Sequence, residues 1–144
     1  MRINGEWLLC EDGVVRPVIR GRIQAIDGSW IITEFLADTG ADRTVLNARV
    51  LRELGLPPLE PEEDISGLGG MTDSVVVESR LLLTRDTGPP VFFSSRFAAV
   101  TDPFILDLSI LGRDITDLFA VIIDRSGDLV CLLSQRHGYA IIEN

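Results

Sequence analysis

The sequence has no lysine: all 13 basic side chains are arginine, set against 22 acidic ones for a net charge of -9. That absence is in keeping with a GC-rich coding sequence and identifies no source. The shortage of positive charge argues against nucleic acid or an anionic membrane as the main partner. It also makes two copies repel each other, less so as the pH falls towards the pI near 4.5. Histidine occurs once, as His137, and the two cysteines, Cys10 and Cys131, stand at opposite ends with no CxxC spacing. No metal site and no cofactor is therefore expected, and the thiols read as free groups in a reducing compartment. No apolar run approaches membrane-spanning length. The first twelve residues contain Glu6 and lack the apolar stretch of a signal peptide, so the cytoplasm is the expected location. Repeats, low-complexity stretches and linkers are missing too.

What is present is 144 residues, 46% hydrophobic and 24% charged, the profile of one globular domain with a real core. Short strands dominate. Residues 14–26 alternate loosely, Asp27-Gly28 signals a hairpin turn, and Trp30 to Ala37 reads as the returning strand. Asn47 is placed to cap a short helix through Leu54, with Gly55 and Pro57-Pro58 to stop it. From Ile65 to Leu83 the order is strand, glycine-rich tip, strand, followed by a strand over Val91 to Val100. A brief helix is expected from Arg113 to Phe119. Ala120–Asp124 and Leu129–Leu133 should then form a hairpin, and Tyr139 to Ile142 a final apolar strand. The fold class is all-β, a small closed or sandwiched barrel with one or two short helices.

Three segments carry chemistry. In Phe35-Leu36-Ala37-Asp38-Thr39-Gly40-Ala41-Asp42-Arg43-Thr44-Val45-Leu46, an apolar strand delivers an aspartate into a turn of small residues. Gly40 and Ala41 allow a sharp bend and the close approach of a second carboxylate. Ile65-Ser66-Gly67-Leu68-Gly69-Gly70-Met71 is a glycine-rich tip. Ser109-Ile110-Leu111-Gly112-Arg113-Asp114 runs an apolar strand into a glycine and then a short helix.

In this order and spacing the segments resemble the retropepsins, single-domain aspartic proteases of retroviruses with cellular and bacterial relatives. The resemblance spans about Arg16 to Phe119, leaving residues 120–144 as a C-terminal extension that retroviral enzymes lack. It implies an aspartic endopeptidase in which Asp38, Thr39 and Gly40 are catalytic. Since one such triplet serves each chain, it also implies a homodimer whose second copy supplies the other Asp38. Like carboxylates ~3 Å apart cannot both ionise, so the pair shares one proton. By the same resemblance Gly67, Leu68, Gly69 and Gly70 form a flap over an extended peptide or protein substrate. Ala41, Asp42 and Arg43 border the substrate backbone, and Val45, Ile65, Leu68, Leu108 and Ile110 match apolar pocket positions. Arg113 and Asp42 match an intrachain ion pair, which Arg16 would reach from the other subunit. Asp114 stands where retroviral enzymes usually have asparagine.

A second triplet, Asp86-Thr87-Gly88, lies 48 positions beyond Asp38, too close to begin a second lobe. Thr84 and Arg85 precede it and Pro89-Pro90 follow, so it reads as a turn. Two other functions stay open. A non-catalytic peptide-binding or assembly module would keep the fold without forming the pair. A plain structural domain would leave the glycine-rich tip unexplained.

Overall fold

A computed structural model describes residues 1–59, 74–134, 140 and 142. Its framework comes from two long hairpins. In the first, β3 (Val15–Gln24) pairs antiparallel with β4 (Trp30–Ala37), from Val18 opposite Leu36 to Gln24 opposite Trp30. Their turn is the one Asp27-Gly28 signals: Gly28 takes φ 84°, and Asp27 Oδ1 accepts from the Ser29 amide at 2.9 Å. In the second, β6 (Ser74–Leu83) pairs with β7 (Val91–Val100) over ten residues. Asp86-Thr87-Gly88 lies in that turn, with Gly88 at φ 83°.

Two short strands close the structure. β5 (Val45–Leu46) runs parallel to β7, and β8 (Ser109–Leu111) inserts between β4 and β5. Because Arg22 and Ile23 of β3 also pair with Leu82 and Leu81 of β6, six strands form a closed barrel in the order β3-β4-β8-β5-β7-β6. Its interior is filled by Ile19, Ile23, Phe35, Leu81, Leu83, Phe97 and Leu111, alternate residues of strands whose other faces look outward. A smaller cluster of Val45, Ala98, Val100 and Ile110 lies beside it, with Ala41, Ile105 and Leu106 packed on it.

The helix α1 (Ala48–Leu54) follows its sequence signals at both ends. Asn47 Oδ1 accepts from the Val50 amide at 3.0 Å, and Gly55 closes the helix in the left-handed conformation at φ 62°. Asn47 is 5% exposed, and its amide group also donates to Asp107 O at 2.9 Å, tying α1 to the approach to β8. Asn47→Ala removes a cap and a buried tie together. It should cost about 2 kcal/mol of unfolding free energy, measured by urea denaturation.

The second helix, α2 (Arg113–Thr116), is shorter than the expected 113–119. The Leu118 and Phe119 amides bond to Ile115 O and Thr116 O, tighter i to i−3 turns that end the α-helix before β9 (Ala120–Asp124) begins. β9 and β10 (Leu129–Leu133) form the expected hairpin. Three strands had no signal in the sequence: the two-residue β5, β1 (Arg2–Asn4), which pairs with β10, and β2 (Glu6–Leu9), which extends the barrel sheet beside β3. The C-terminal hairpin and the N-terminal strand thus make a separate three-stranded sheet, β1-β10-β9. Of the expected strand at 139–142 only Ala140 and Ile142 are described, and neither is in a strand; the glycine-rich tip lies outside the described residues.

Candidate active site

β4 and β5 are consecutive in the chain, yet β8 lies between them in the sheet. Residues 38–44 must therefore pass over the end of β8, and this crossing builds the site. Asp38 begins the loop, half-buried, with its amide donating to Leu111 O of β8 at 3.2 Å. Its Oδ1 accepts from the Gly40 amide at 2.9 Å, and the Ala41 amide bonds back to Asp38 O at 3.3 Å. Thr39 and Gly40 are exposed at the apex.

The far side of the loop is held by the residues that follow β8. The Arg113 amide donates to Ala41 O at 2.8 Å and the Asp114 amide to Asp42 O at 3.3 Å. The Arg113 guanidinium binds the Asp42 carboxylate, the ion pair expected from the sequence. Both groups are well exposed, so this pair serves to orient the loop more than to stabilise the fold.

A relay through the buried Thr44 hydroxyl completes the anchoring. Thr44, 1% exposed, donates from Oγ1 to Asp114 Oδ1 at 2.7 Å and accepts from the Gly112 amide at 3.2 Å. The sequence marked Thr44 only as part of a motif and Asp114 only as a departure from it. Seventy positions separate them, so no local pattern could join them.

Gly112, the residue after β8, lies directly against the loop backbone. A Cβ there would collide with the carbonyl carbon and oxygen of Arg43 and stand 2.8 Å from its amide nitrogen. Only a residue without a side chain lets the loop cross at this height.

The other expected positions divide clearly. Val45 and Ile110 are 3% and 2% exposed and face each other across β5 and β8, so in this chain they are the floor beneath Ala41. Leu108 is half-buried, and Arg43 is exposed on the loop. Ile65, Gly67, Leu68, Gly69 and Gly70 lie outside the described residues. Asp86 is remote from the site, at the far end of β7 from Ala98 and Ala99, which pair with β5. It fastens β1 to the turn: its Oδ1 accepts from the Arg2 amide at 3.2 Å, and its own amide donates to Arg2 O at 2.8 Å.

Arg16 is engaged within its own chain, in a two-pronged pair with Asp12 at 2.9 and 2.7 Å. That guanidinium, with the Val14 amide, lowers the Asp12 carboxyl to about 2. A depressed folded-state value stabilises the fold above the carboxyl's ordinary range, and the contribution is lost as pH falls through about 2. NMR titration of Asp12 should give that low value, and Arg16→Gln should return it towards 3.8.

A family model described as aspartyl protease matches residues 25–115, a span that includes both the 38–44 loop and the 112–114 anchor. Among solved structures, a retropepsin-like aspartic protease from Rickettsia conorii aligns over 92% of this chain and 88% of its own, with 18% identity and a TM-score of 0.54. At that identity the likeness speaks to the fold, a retropepsin-like barrel. The EIAV protease, complexed with an inhibitor, aligns over 71% of this chain and 86% of its own at 23% identity and a TM-score of 0.47. No curated protein matches the sequence.

Proposed function

The chain belongs to the aspartyl protease family, and on that premise we propose that it is a homodimeric aspartic endopeptidase acting on extended polypeptide. The observation that carries this is Asp38 itself, half-buried on a loop tethered by backbone hydrogen bonds, with exposed Thr39 and Gly40 beside it. One carboxylate cannot both accept and donate a proton in the same step, so hydrolysis takes two. The second comes from another copy, with its exposed loop apex facing the first across a twofold axis.

In that pair the ionised Asp38 takes a proton from a water, whose oxygen attacks the scissile carbonyl carbon. The protonated Asp38 donates to the carbonyl oxygen, giving a tetrahedral intermediate. Proton transfer to the amide nitrogen then lets the carbon–nitrogen bond break. Because the step needs one carboxyl protonated while the other is ionised, activity should favour acid pH. Ala41, Asp42 and Arg43 would border the substrate, with Ala41 O and Asp42 O already committed to the 113–114 amides. The glycine-rich segment 67–70 is assigned to closure over the peptide. The reducing cytoplasm is the compartment proposed, in keeping with the free Cys10 and Cys131.

One observation favours the non-catalytic reading: β1 pairs with β10 of its own chain, so the terminal strands are satisfied without a second copy. Incubation with a complex peptide mixture at pH 4 to 7, read by mass spectrometry, separates the two. Internal cleavage whose rate rises more steeply than linearly with protein concentration establishes the dimeric peptidase. A folded monomer that cleaves nothing across this range makes it a binding module.

A further inference from the structure

Far from Asp38, the barrel carries a second surface that catalysis does not use. On the outer face of β3, β4, β6 and β7, register places Ile32, Arg22, Leu82 and Phe92 in one row across four strands. Three strand spacings make the row about 14 Å wide. Ile32 is 59% exposed and Phe92 44%. Trp30 reaches towards Phe92 across the two strands between them, with ring centroids 5.9 Å apart, and the Arg80 guanidinium lies 4.6 Å above the Phe92 ring. Ile32 is six residues before Asp38 along β4, about 20 Å at strand rise, so this face is separate from the catalytic loop.

The charge on this face runs against the rest of the molecule. The register puts Arg20, Arg22, Arg80 and Arg96 on this face against Glu34 and Glu78, a local excess of positive charge in a chain of net charge -9. No carboxylate among the described residues pairs with Arg22 or Arg80. Their neighbour Arg20 is by contrast bound to Glu6 at 2.8 Å. Exposed and half-buried apolar side chains in a row, with guanidiniums that no described carboxylate pairs with, make a surface complementary to alternating apolar and acidic side chains.

We propose that the row Ile32–Arg22–Leu82–Phe92, with Trp30 and Arg80, is a docking site for an acidic, apolar segment of a partner protein. The occupant is a protein segment because a short peptide brings few charges and meets the local arginines. An extended anionic surface such as a membrane or nucleic acid would also meet the net negative charge of the whole chain. This inference is independent of peptidase activity and stands or falls without it.

The test uses the full chain carrying Asp38→Asn, so that no probe is cleaved. A fluorescein-labelled decapeptide of alternating glutamate and leucine is titrated by anisotropy, beside its lysine–leucine counterpart and phosphatidylserine vesicles. Binding of the glutamate peptide should weaken with salt and fall by about tenfold or more in Arg22→Glu/Arg80→Glu. It should fall likewise in Ile32→Thr/Phe92→Thr, with thermal unfolding confirming that both variants remain folded. Trp30 emission should respond to the peptide and lose that response in the variants. Equal binding of both peptides, or binding unchanged in both folded variants, overturns the proposal. So does preferential binding to vesicles. Self-association that the same variants abolish, seen by sedimentation, assigns the face to a second copy instead and overturns it as well.

Discussion

Asp38→Asn should abolish peptide hydrolysis while leaving the protein folded. Asparagine keeps the size of the side chain and the oxygen that accepts the Gly40 amide at 2.9 Å, so the loop loses none of its own hydrogen bonds. What disappears is the proton chemistry, and in a homodimer it disappears from both sides of the water at once. The expected loss is on the order of 10³-fold or more. A mixing experiment sharpens the result: equal amounts of wild type and variant, if they pair at random, should leave about a quarter of the activity expected from all-wild-type dimers. Activity falling only to half would mean that each chain works alone. Asp86→Asn is the natural control. It keeps an acceptor for the Arg2 amide in a turn remote from Asp38, so activity should be unchanged although the same Asp-Thr-Gly triplet has been altered.

Gly112→Ala should damage both stability and activity although it touches no ionisable group. The added methyl group has no free space, because the Arg43 backbone occupies it and a backbone cannot rotate away as a side chain can. Either β8 or the 38–44 crossing must move. Both are fixed, through Asp38 N to Leu111 O, Arg113 N to Ala41 O and the Thr44 hydroxyl. The cost should be about 3 kcal/mol, seen as a fall of roughly 10 °C in the unfolding midpoint. Activity should fall further than stability explains, since the displaced segment carries Asp38. Gly28→Ala gives the comparison. At φ 84° with nothing within 4 Å of the added Cβ, it strains only its own turn and should cost about 1 kcal/mol.

Where the determinants are local, the sequence is legible. Asp27-Gly28 announces its turn because glycine reaches positive φ without penalty. Asn47 and Gly55 bracket α1 because the first accepts from the Val50 amide three residues on and the second takes the left-handed conformation that ends the helix. The second Asp-Thr-Gly triplet was separable from the first by its immediate neighbours. The end of α2 was less legible, because Phe119 is half-buried and packed on the barrel core while the backbone has already left the helix. An apolar periodicity does not distinguish these two situations.

The sequence by itself determined the long hairpin strands β3, β4, β6 and β7, the caps of α1 and the turn character of the second Asp-Thr-Gly triplet, all of which depend on neighbours within a few positions. Tertiary structure alone decided that β1 and β2 are strands. Too short to announce themselves, they exist because Ile3 meets Leu132 and Trp7 meets Pro17. It also decided why Gly112 has to be glycine and why Thr44 and Asp114 belong together, because β8 slides between two strands that are consecutive in the chain. It alone aligned Ile32, Arg22, Leu82 and Phe92, residues on four strands whose register is set by backbone pairing and leaves no trace in any one segment. Contacts between distant residues depend on how the chain closes on itself, and that closure is a property of the whole barrel.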